Sequence, residues 1–276
     1  PPPPPPPPPP PFSSRRRHTR LLTQSRGLGD VYKRQSFPDV LTPNISSKGT
    51  GSWYTRKYNG QGFDIKIKDD TMLLYWYTFE ERSDTHKYYY GVGKINGNNA
   101  IIDLITTQAG RFNDPSTAVT VPAGKAQVYF PGPEKAVINF DTPEYGRGTI
   151  HLTPVALSSD DNPLQGSWYN PDRDMEGLSI QTFDHLNMIV VYWYTYDFDG
   201  NQVWFFGSGN PISETEYLVN LYEVREGRWL FYNPVNITPI GTGTVCLVDL
   251  NHISFKYFIH STFVTEGDTK LMQRLY

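Results

Sequence analysis

The sequence predicts an all-β protein made of two tandem homologous antiparallel units, each an up-and-down barrel or a sandwich of about eight strands. Two observations lead to this prediction. Short apolar and aromatic runs alternate with Gly, Asn, Asp and Pro turn signals, which is typical of strands joined by tight connections. The same ordered set of motifs also occurs twice, which indicates two copies of one structural unit.

The repeat becomes visible when the chain is aligned with itself. The block GSWY begins at Gly51 and again at Gly166, and LLYWYTF from Leu73 corresponds to VVYWYTY from Val190. The runs YYYGVG and WFFGSG, and then GRF and GRW, follow in the same order, with an offset that stays between 115 and 117 residues. The predicted organisation is a tail at 1–35, a linker at 36–42, a first unit at 43–156, a linker at 157–163 and a second unit at 164–276.

Residues 1–35 differ in kind from the rest of the chain. Eleven prolines precede a basic run without hydrophobic periodicity, which contains SSRRRHTR and GDVYKRQ. The segment resembles translated sequencing-adapter sequence, and we interpret it as an artefact that takes no part in the fold. The alternative is a disordered polyproline II tail with a basic segment that binds aromatic-lined grooves or a polyanion.

The strands of the first unit are predicted from eight runs separated by turn signals such as YNGQG, NGNN and PGPE. In order, the runs are GSWY, GFDIKIK, MLLYWYTF, KYYYGVGKI, AIIDLITT, AQVYF, AVINF and GTIHLTPV. The second unit repeats this series, with Asp199-Gly200 predicted as a type I′ hairpin turn. An eight-stranded barrel is just wide enough to be filled by side chains or to hold one small ligand.

The duplicated YWYT block is apolar on both faces of its strand. Because successive side chains alternate, Tyr75 and Tyr77 share one face and Trp76 lies on the other, and in the second unit Trp193 lies opposite Tyr194. A half-buried strand is expected to have one polar face. One aromatic face therefore fills the core, and the other must be covered by the partner unit, by loops or by a ligand.

The motifs resemble a tandem β-repeat family of uncharacterised secreted bacterial proteins, with the pattern GxWYNPxRxGxGF, then WYTYDxxGxxxW, then GxG. The first unit lacks the NPxR element, and the second departs from the pattern at Met175. The resemblance spans 43–276 and implies an exported protein, secreted or periplasmic, although no signal peptide is visible; it implies no established chemistry. A general similarity to avidin-like and lipocalin-like barrels implies a ligand-binding fold. The second unit matches the pattern through Trp168, Tyr169, Asn170, Pro171, Arg173, Gly177, Trp193, Tyr194, Asp197, Gly200, Trp204 and Gly209.

Charge and hydropathy argue against two classes of partner. Residues 1–35 hold seven of the 25 Lys and Arg and one of the 28 Asp and Glu, so the remaining chain has 18 basic and 27 acidic groups and a net charge of −9. Nucleic acid is not expected as a partner, because phosphate binding needs a clustered basic face. No apolar run has the length of a membrane helix, so no transmembrane segment is expected.

No cofactor, metal site or catalytic residue is predicted. The single Cys246 excludes an intrachain disulfide and any Cys-pair metal site. The acidic run before Gly177 imitates a calcium loop, but Phe183 stands where a bidentate Glu is required. The sequence leans against an enzyme; the less favoured alternative is a hydrolase, which needs carboxylates or a His converging in one cleft.

The aromatic surplus is the strongest functional signal. Tyr and Trp present flat apolar faces with a polar edge, which suit sugar rings and small apolar ligands. We therefore predict a non-catalytic exported module that binds a glycan or a small apolar molecule. The alternative is a structural or adhesive module whose aromatic faces pack unit on unit or against a protein partner. The predicted ligand-binding residues are Trp76, Tyr77, Trp193, Tyr194 and Trp204.

Overall fold

The computed structural model describes residues 49–114, 118–158, 162–173 and 175–275, all within the compact unit Thr42–Tyr276. These residues form strands and turns, with a 3-10 turn at Asp184–Leu186, and the all-β prediction is confirmed. The predicted tail at 1–35 and the linker at 36–42 lie outside the described residues. Across the ranges that are described, no helix has the length and apolar character needed to cross a membrane.

The first unit is a closed antiparallel barrel of eight strands, each paired with the next along the chain. β1 closes the barrel against β8, with Trp53 opposite Pro154. The NGNN turn between β4 and β5 uses Gly97 at φ +63°, a conformation that glycine adopts without steric cost. The strands are β1 (Gly51–Tyr54), β2 (Gly62–Lys68), β3 (Thr71–Phe79), β4 (His86–Asn96), β5 (Asn99–Gln108), β6 (Val119–Gly132), β7 (Lys135–Thr142) and β8 (Gly146–Leu157).

The second unit repeats this architecture and closes through the pairing of β9 with β16. The hairpin prediction at Asp199-Gly200 is wrong in its turn type, because the loop spans five residues and Gly200, not Asp199, has a positive φ. The Asp197 carboxylate organises this loop by accepting the backbone N–H groups of Asp199 and Asn201. The strands are β9 (Gly166–Tyr169), β10 (Gly177–Phe183), β11 (Met188–Tyr196), β12 (Gln202–Pro211), β13 (Glu216–Arg225), β14 (Asn236–Asp249), β15 (His252–His260) and β16 (Thr265–Arg274).

The alternation predicted for the YWYT strands is confirmed. Trp76 belongs to the core of the first barrel and Trp193 to the core of the second. The opposite faces of β3 and β11 meet each other between the barrels. We call this contact the seam; its buried members are Leu73, Tyr75, Tyr77, Phe79, Tyr88, Tyr194, Trp204 and Val224.

The seam has approximate two-fold symmetry. The Tyr75 ring stacks on Tyr194 with centroids 5.3 Å apart, and the Tyr77 ring stacks on Tyr192 at 5.0 Å. In the repeat, Tyr75 corresponds to Tyr192 and Tyr77 to Tyr194, so each contact is the symmetry equivalent of the other. Such a self-complementary interface is the kind that homodimers form, here within one chain.

Each barrel also receives an aromatic side chain from the other unit. Trp229, in the GRW motif of the second unit, packs in the core of the first barrel with its ring 4.6 Å from Trp76. Phe112, in the GRF motif of the first unit, packs in the core of the second barrel 5.8 Å from Trp193. The glycine of GRW is required because a Cβ at Gly227 would lie 2.0 Å from the Phe79 ring. The units are thus interlocked as well as packed side by side.

Candidate functional site

Two of the five predicted ligand-binding residues lie inside the barrels. Trp76 and Trp193 are fully buried, each surrounded by the aromatic and aliphatic side chains of its own barrel. Side chains fill the barrel cores at these positions, as expected for eight strands. Neither indole lines either of the two clefts described below.

The other three predicted residues lie in the seam and reach its edges. Tyr77, Tyr194 and Trp204 are almost completely buried, at 2%, 6% and 4% exposure. The Trp204 indole N–H donates to the Thr78 carbonyl at 3.1 Å, so the ring is held in place by the partner unit. Tyr77 and Trp204 border one cleft at an edge of the seam, and Tyr194 borders another.

A buried ion pair lies in the seam where β2 faces β10. Lys66 and Asp64 are 3% and 0% exposed, with Nζ 3.6 Å from Oδ2. The Asp64 carboxylate also accepts hydrogen bonds from the side chains of Ser179 and Gln181, and Lys66 Nζ donates to the Ile180 carbonyl at 2.9 Å. Burial is the main cause that lowers the pKa of Lys66. By the repeat, Ser179 and Gln181 occupy the positions that Asp64 and Lys66 hold in the first unit, so the two units differ in charge at this contact.

A second polar pair bridges β4 and β12. The Trp204 backbone N–H donates to His86 Nδ1 at 3.1 Å, and the Tyr88 backbone N–H donates to Gln202 Oε1 at the same distance. His86 and Gln202 are repeat equivalents, so the two bonds are symmetric. The Val224 carbonyl lies 2.6 Å from His86 Nε2. Because a carbonyl only accepts hydrogen bonds, Nε2 carries a proton. Nδ1 accepts the Trp204 N–H and therefore carries none, so the imidazole is neutral.

We expect stability to fall in mild acid because His86 must stay neutral. Burial, the main cause, lowers the pKa of His86 from 6.5 to about 4. Neutral His86 therefore contributes fully to the stability of the folded state above pH 6.5, and this contribution is lost as pH falls towards 4. This group alone should reduce the free energy of unfolding by roughly 3 kcal/mol across that window. Urea denaturation at a series of pH values measures the loss.

The matched control is His86→Gln, which copies Gln202 of the second unit and retains an acceptor for the Trp204 N–H. The acidic and basic neighbours of His86 are the same in both proteins, including Asp84, which pairs with Arg225 at 2.8 Å. The difference between the pH profiles of stability of wild type and His86→Gln therefore gives the contribution of the histidine. Parallel pH profiles for wild type and His86→Gln would contradict the prediction.

The larger of two related clefts lies at the edge of the seam next to β4 and β9. It has a volume of about 300 Å³, at the lower end of the range for small-molecule sites. We call it the Tyr90 cleft. Its lining consists of Tyr75, Tyr90, Tyr169, Asn170, Pro171, Arg173, Met175, Glu176, Tyr194 and Leu275.

The second cleft lies at the symmetry-related edge of the seam. It has a volume of about 210 Å³, and we call it the Trp204 cleft. Under the repeat, Phe206 takes the place of Tyr90, and Tyr54 that of Tyr169. The two clefts are therefore one site built twice. The Trp204 cleft is lined by Trp53, Tyr54, Gly60, Gln61, Gly62, Tyr77, Val155, Tyr192, Trp204, Phe206, Val224 and Ile237.

The NPxR turn makes the Tyr90 cleft more polar than its equivalent. Asn170 Oδ1 accepts the Asp172 N–H at 3.1 Å, and the Arg173 N–H returns to the Asn170 carbonyl at 3.2 Å, which brings Arg173 to the wall of the cleft. Met175 has φ +58° where the family pattern has Gly. Its sulfur accepts the Tyr90 hydroxyl at 2.9 Å, and this contact fixes the Tyr90 ring at the rim. The Trp204 cleft has no counterpart of Arg173, since the first unit lacks the motif.

The acidic group of the Tyr90 cleft is already neutralised. Glu176 is 2% exposed, and Lys270 Nζ lies 2.8 Å from each of its carboxylate oxygens. Asn170 Nδ2 and Thr195 Oγ1 donate to the same carboxylate at 2.9 and 3.1 Å. Burial, the main cause, raises the pKa of Tyr90, so its hydroxyl remains a hydrogen-bond donor at neutral pH. The site therefore offers ring faces, hydroxyl groups and a guanidinium.

A more voluminous depression on the outside of the first barrel has a different character. It lies over β6, β7 and β8 and measures about 640 Å³. Its charged groups are paired with their neighbours, Lys125 with Asp103 and Arg147 with Asp141. The rings of the seam take no part in it.

Several cleft residues were not predicted from the sequence. Tyr90, Tyr169 and Phe206 were not among the predicted binding residues, although Tyr169, Asn170 and Arg173 belong to the motif of the second unit. The sequence feature that could have located these residues is the difference between the two copies of the repeat. A turn present in one copy and absent from the other marks a place where the two sites differ, and that turn forms the wall of the Tyr90 cleft.

Comparison with known proteins does not assign a family. No family model matches the chain, and no solved structure matches it. A xylose isomerase from Rhodopirellula baltica is 42% identical over 52 residues, which are 19% of this chain and 11% of that protein. A match over about a tenth of the curated protein carries no argument about activity. The resemblance to a secreted tandem β-repeat family stays a prediction.

Proposed function

We propose that this protein binds a glycan in the Tyr90 cleft. The observation that carries the proposal is the pair of equivalent aromatic clefts at the two edges of the seam. Rings of Tyr90 and Tyr169 border the Tyr90 cleft together with the side chains of Asn170 and Arg173. Sugars are bound by flat apolar faces combined with a few polar groups that fix their orientation, and this lining has both.

The five residues predicted from the sequence to bind a ligand divide between the barrel cores and the two clefts. Trp76 and Trp193 serve as core residues, while Tyr194 belongs to the Tyr90 cleft and Tyr77 and Trp204 to its equivalent. The Trp204 cleft has a more apolar lining, including Phe206, so we assign it a small apolar ligand. Buried aromatics make the seam rigid, and a rigid site loses less entropy on binding.

Screening the protein on a glycan array, with titration calorimetry of the best binder, tests the proposal. Tyr169→Ala should weaken binding about tenfold, the effect of roughly 1.4 kcal/mol lost from one ring contact. Tyr54→Ala, the equivalent change in the Trp204 cleft, is the matched control and should leave glycan affinity unchanged. Equal loss in the two variants, or no glycan binding by the wild type, would contradict the proposal.

A structural or adhesive module is the second candidate. It is favoured by the seam itself, where Tyr75, Tyr77 and Trp204 are buried between the units, as expected if these rings serve mainly to join two barrels. Under this alternative the protein binds no glycan, and Tyr169→Ala changes neither binding nor stability. The same array and variants therefore decide between the two candidates.

A further inference from the structure

Three side chains from distant parts of the chain meet at the core of the second barrel. Lys270 lies on β16, Glu176 immediately precedes β10, and Asn113 belongs to the loop that carries Phe112 across from the first unit. Lys270 Nζ is 2.7 Å from Asn113 Oδ1 and 2.8 Å from each oxygen of Glu176. An amine, a carboxamide and a carboxylate are thus in direct contact.

The surroundings are aromatic and almost completely shielded from solvent. Lys270 is 4% exposed, and its Nζ lies between 5.5 and 5.9 Å from the ring centroids of Phe112, Trp193 and Tyr257. Burial is the main cause that lowers the pKa of Lys270, which makes loss of a proton from Nζ easier. Desolvation of this kind is how buried lysines become nucleophiles.

The first barrel shows that the fold does not require this trio. Glu176 corresponds to Gln61, which bonds the backbone of the incoming loop at the Arg228 carbonyl, 2.7 Å away, and at the Leu230 N–H, 3.1 Å away. Ile150 on β8 takes the position of Lys270 on β16. The strand register shows this, because β1 pairs with β8 in the same way as β9 pairs with β16. A neutral arrangement thus suffices in one barrel. The other barrel bears the desolvation cost of a buried ion pair.

We propose that Lys270 and Asn113 form an intramolecular amide bond, with Glu176 carrying the protons. Glu176 takes a proton from the ammonium group, and the freed Nζ attacks Cγ of Asn113, forming the Nζ–Cγ bond. The Cγ–Nδ2 bond then breaks, and Nδ2 receives a proton through Glu176 and leaves as ammonia. The second proton that Nζ loses stays on Glu176, which ends as a neutral carboxyl group, so that no unpaired charge is left buried. No oxidant or cofactor is consumed.

Tyr257 is placed to stabilise the charge that develops in this step. Its hydroxyl lies 3.3 Å from Asn113 Oδ1, where negative charge collects when Nζ adds to Cγ. Burial, the main cause, raises the pKa of Tyr257, so the hydroxyl keeps its proton and can donate. Lys270 Nζ lies within hydrogen-bond distance of Glu176 and of Asn113, and the Tyr257 hydroxyl lies within hydrogen-bond distance of Asn113. This preorganisation replaces a separate catalyst.

The bond would join a loop of the first unit to the last strand of the second. Asn113 adjoins Phe112, the aromatic residue through which the first unit enters the second barrel. A covalent link at this point makes the interlocking of the barrels permanent. The bond would do what a disulfide does in other proteins, in a chain whose single cysteine cannot form a disulfide within the chain.

Intact-mass measurement of the purified full chain tests the proposal directly. We expect a mass below the sequence mass by one ammonia molecule. Trypsin should release a branched peptide in which Phe112–Lys125 is joined to Tyr257–Arg274, because acylated Lys270 is no longer cleaved. Tandem mass spectrometry should locate the branch at Asn113 and Lys270. The full sequence mass in folded protein would overturn the proposal.

Variants separate this bond from other losses of ammonia. Lys270→Arg keeps the positive charge but has no primary amine, and Asn113→Ala removes the half-buried acceptor on a loop; each should have its full sequence mass. Glu176→Gln should slow the reaction, so that linear and branched forms coexist. A succinimide formed at Asn113 alone would also lose ammonia. Ammonia loss that persists in Lys270→Arg, or the absence of the branched peptide from wild type, would overturn the proposal.

Discussion

Replacing Trp229 by Ala is expected to lower the free energy of unfolding by about 3–5 kcal/mol, the range for removing a large buried aromatic side chain. The ring contacts four aromatic residues of the first barrel and is 8% exposed. Its closest partner is Tyr145, with ring centroids 4.0 Å apart. Although Trp229 belongs to the second unit, the cavity opens in the first barrel, so hydrogen exchange should increase mainly in β3, β4 and β7.

Two further variants serve as comparisons for Trp229→Ala. Phe112→Ala is the equivalent change and should increase hydrogen exchange mainly in the second barrel. Phe231→Ala removes an aromatic ring two residues from Trp229 that is 61% exposed, and it should change stability by less than about 0.5 kcal/mol. If Trp229→Ala loosened only the second barrel, the view of the two units as interlocked would be wrong.

The second large effect is expected at the ion pair in the seam. Asp64→Ala leaves the Lys66 ammonium buried without its carboxylate, and breaking a buried pair in this way costs about 3–5 kcal/mol. The matched variant is Asp64→Ser with Lys66→Gln, which copies Ser179 and Gln181 of the second unit. It should regain most of the lost stability, because no unpaired charge remains buried.

Thermal and urea denaturation measure the stability of Asp64→Ala and of the double variant. Stability of Asp64→Ala within about 1 kcal/mol of wild type would show that water reaches Lys66. A double variant no more stable than Asp64→Ala would show that the seam depends on the charges themselves. Either result would contradict the prediction for this ion pair.

Much of the fold could be predicted from particular sequence features. The aromatic block at Trp76 alternates with period two, and its two faces lie where the alternation places them, one in the core and one in the seam. The strands end near the predicted turns because Gly, Asn and Asp allow the required backbone conformations. The choice between barrel and sandwich was left open, since closure depends on the pairing of β1 with β8, whose partner residues are about 100 positions apart in the chain.

The site was predictable only in part. Tyr77, Tyr194 and Trp204 were selected for their place in the repeat, and they reach the clefts because the outer faces of β3, β11 and β12 meet at the seam. Trp76 and Trp193 carry the same local signal, yet they point into the barrels. Local sequence does not say which face of a strand apolar on both sides is inside. That is set by the direction in which the sheet closes.

The sequence by itself determined that the chain is all-β, that it contains one unit twice, and that the YWYT strands are apolar on both faces. These properties follow from turn chemistry and from the two-residue period of strands, which act over short distances. Only the tertiary structure decided that the spare faces cover each other, that Trp229 and Phe112 cross between the units, and that Lys270 meets Asn113. Such contacts join residues more than 80 positions apart, and their geometry depends on how two closed barrels pack.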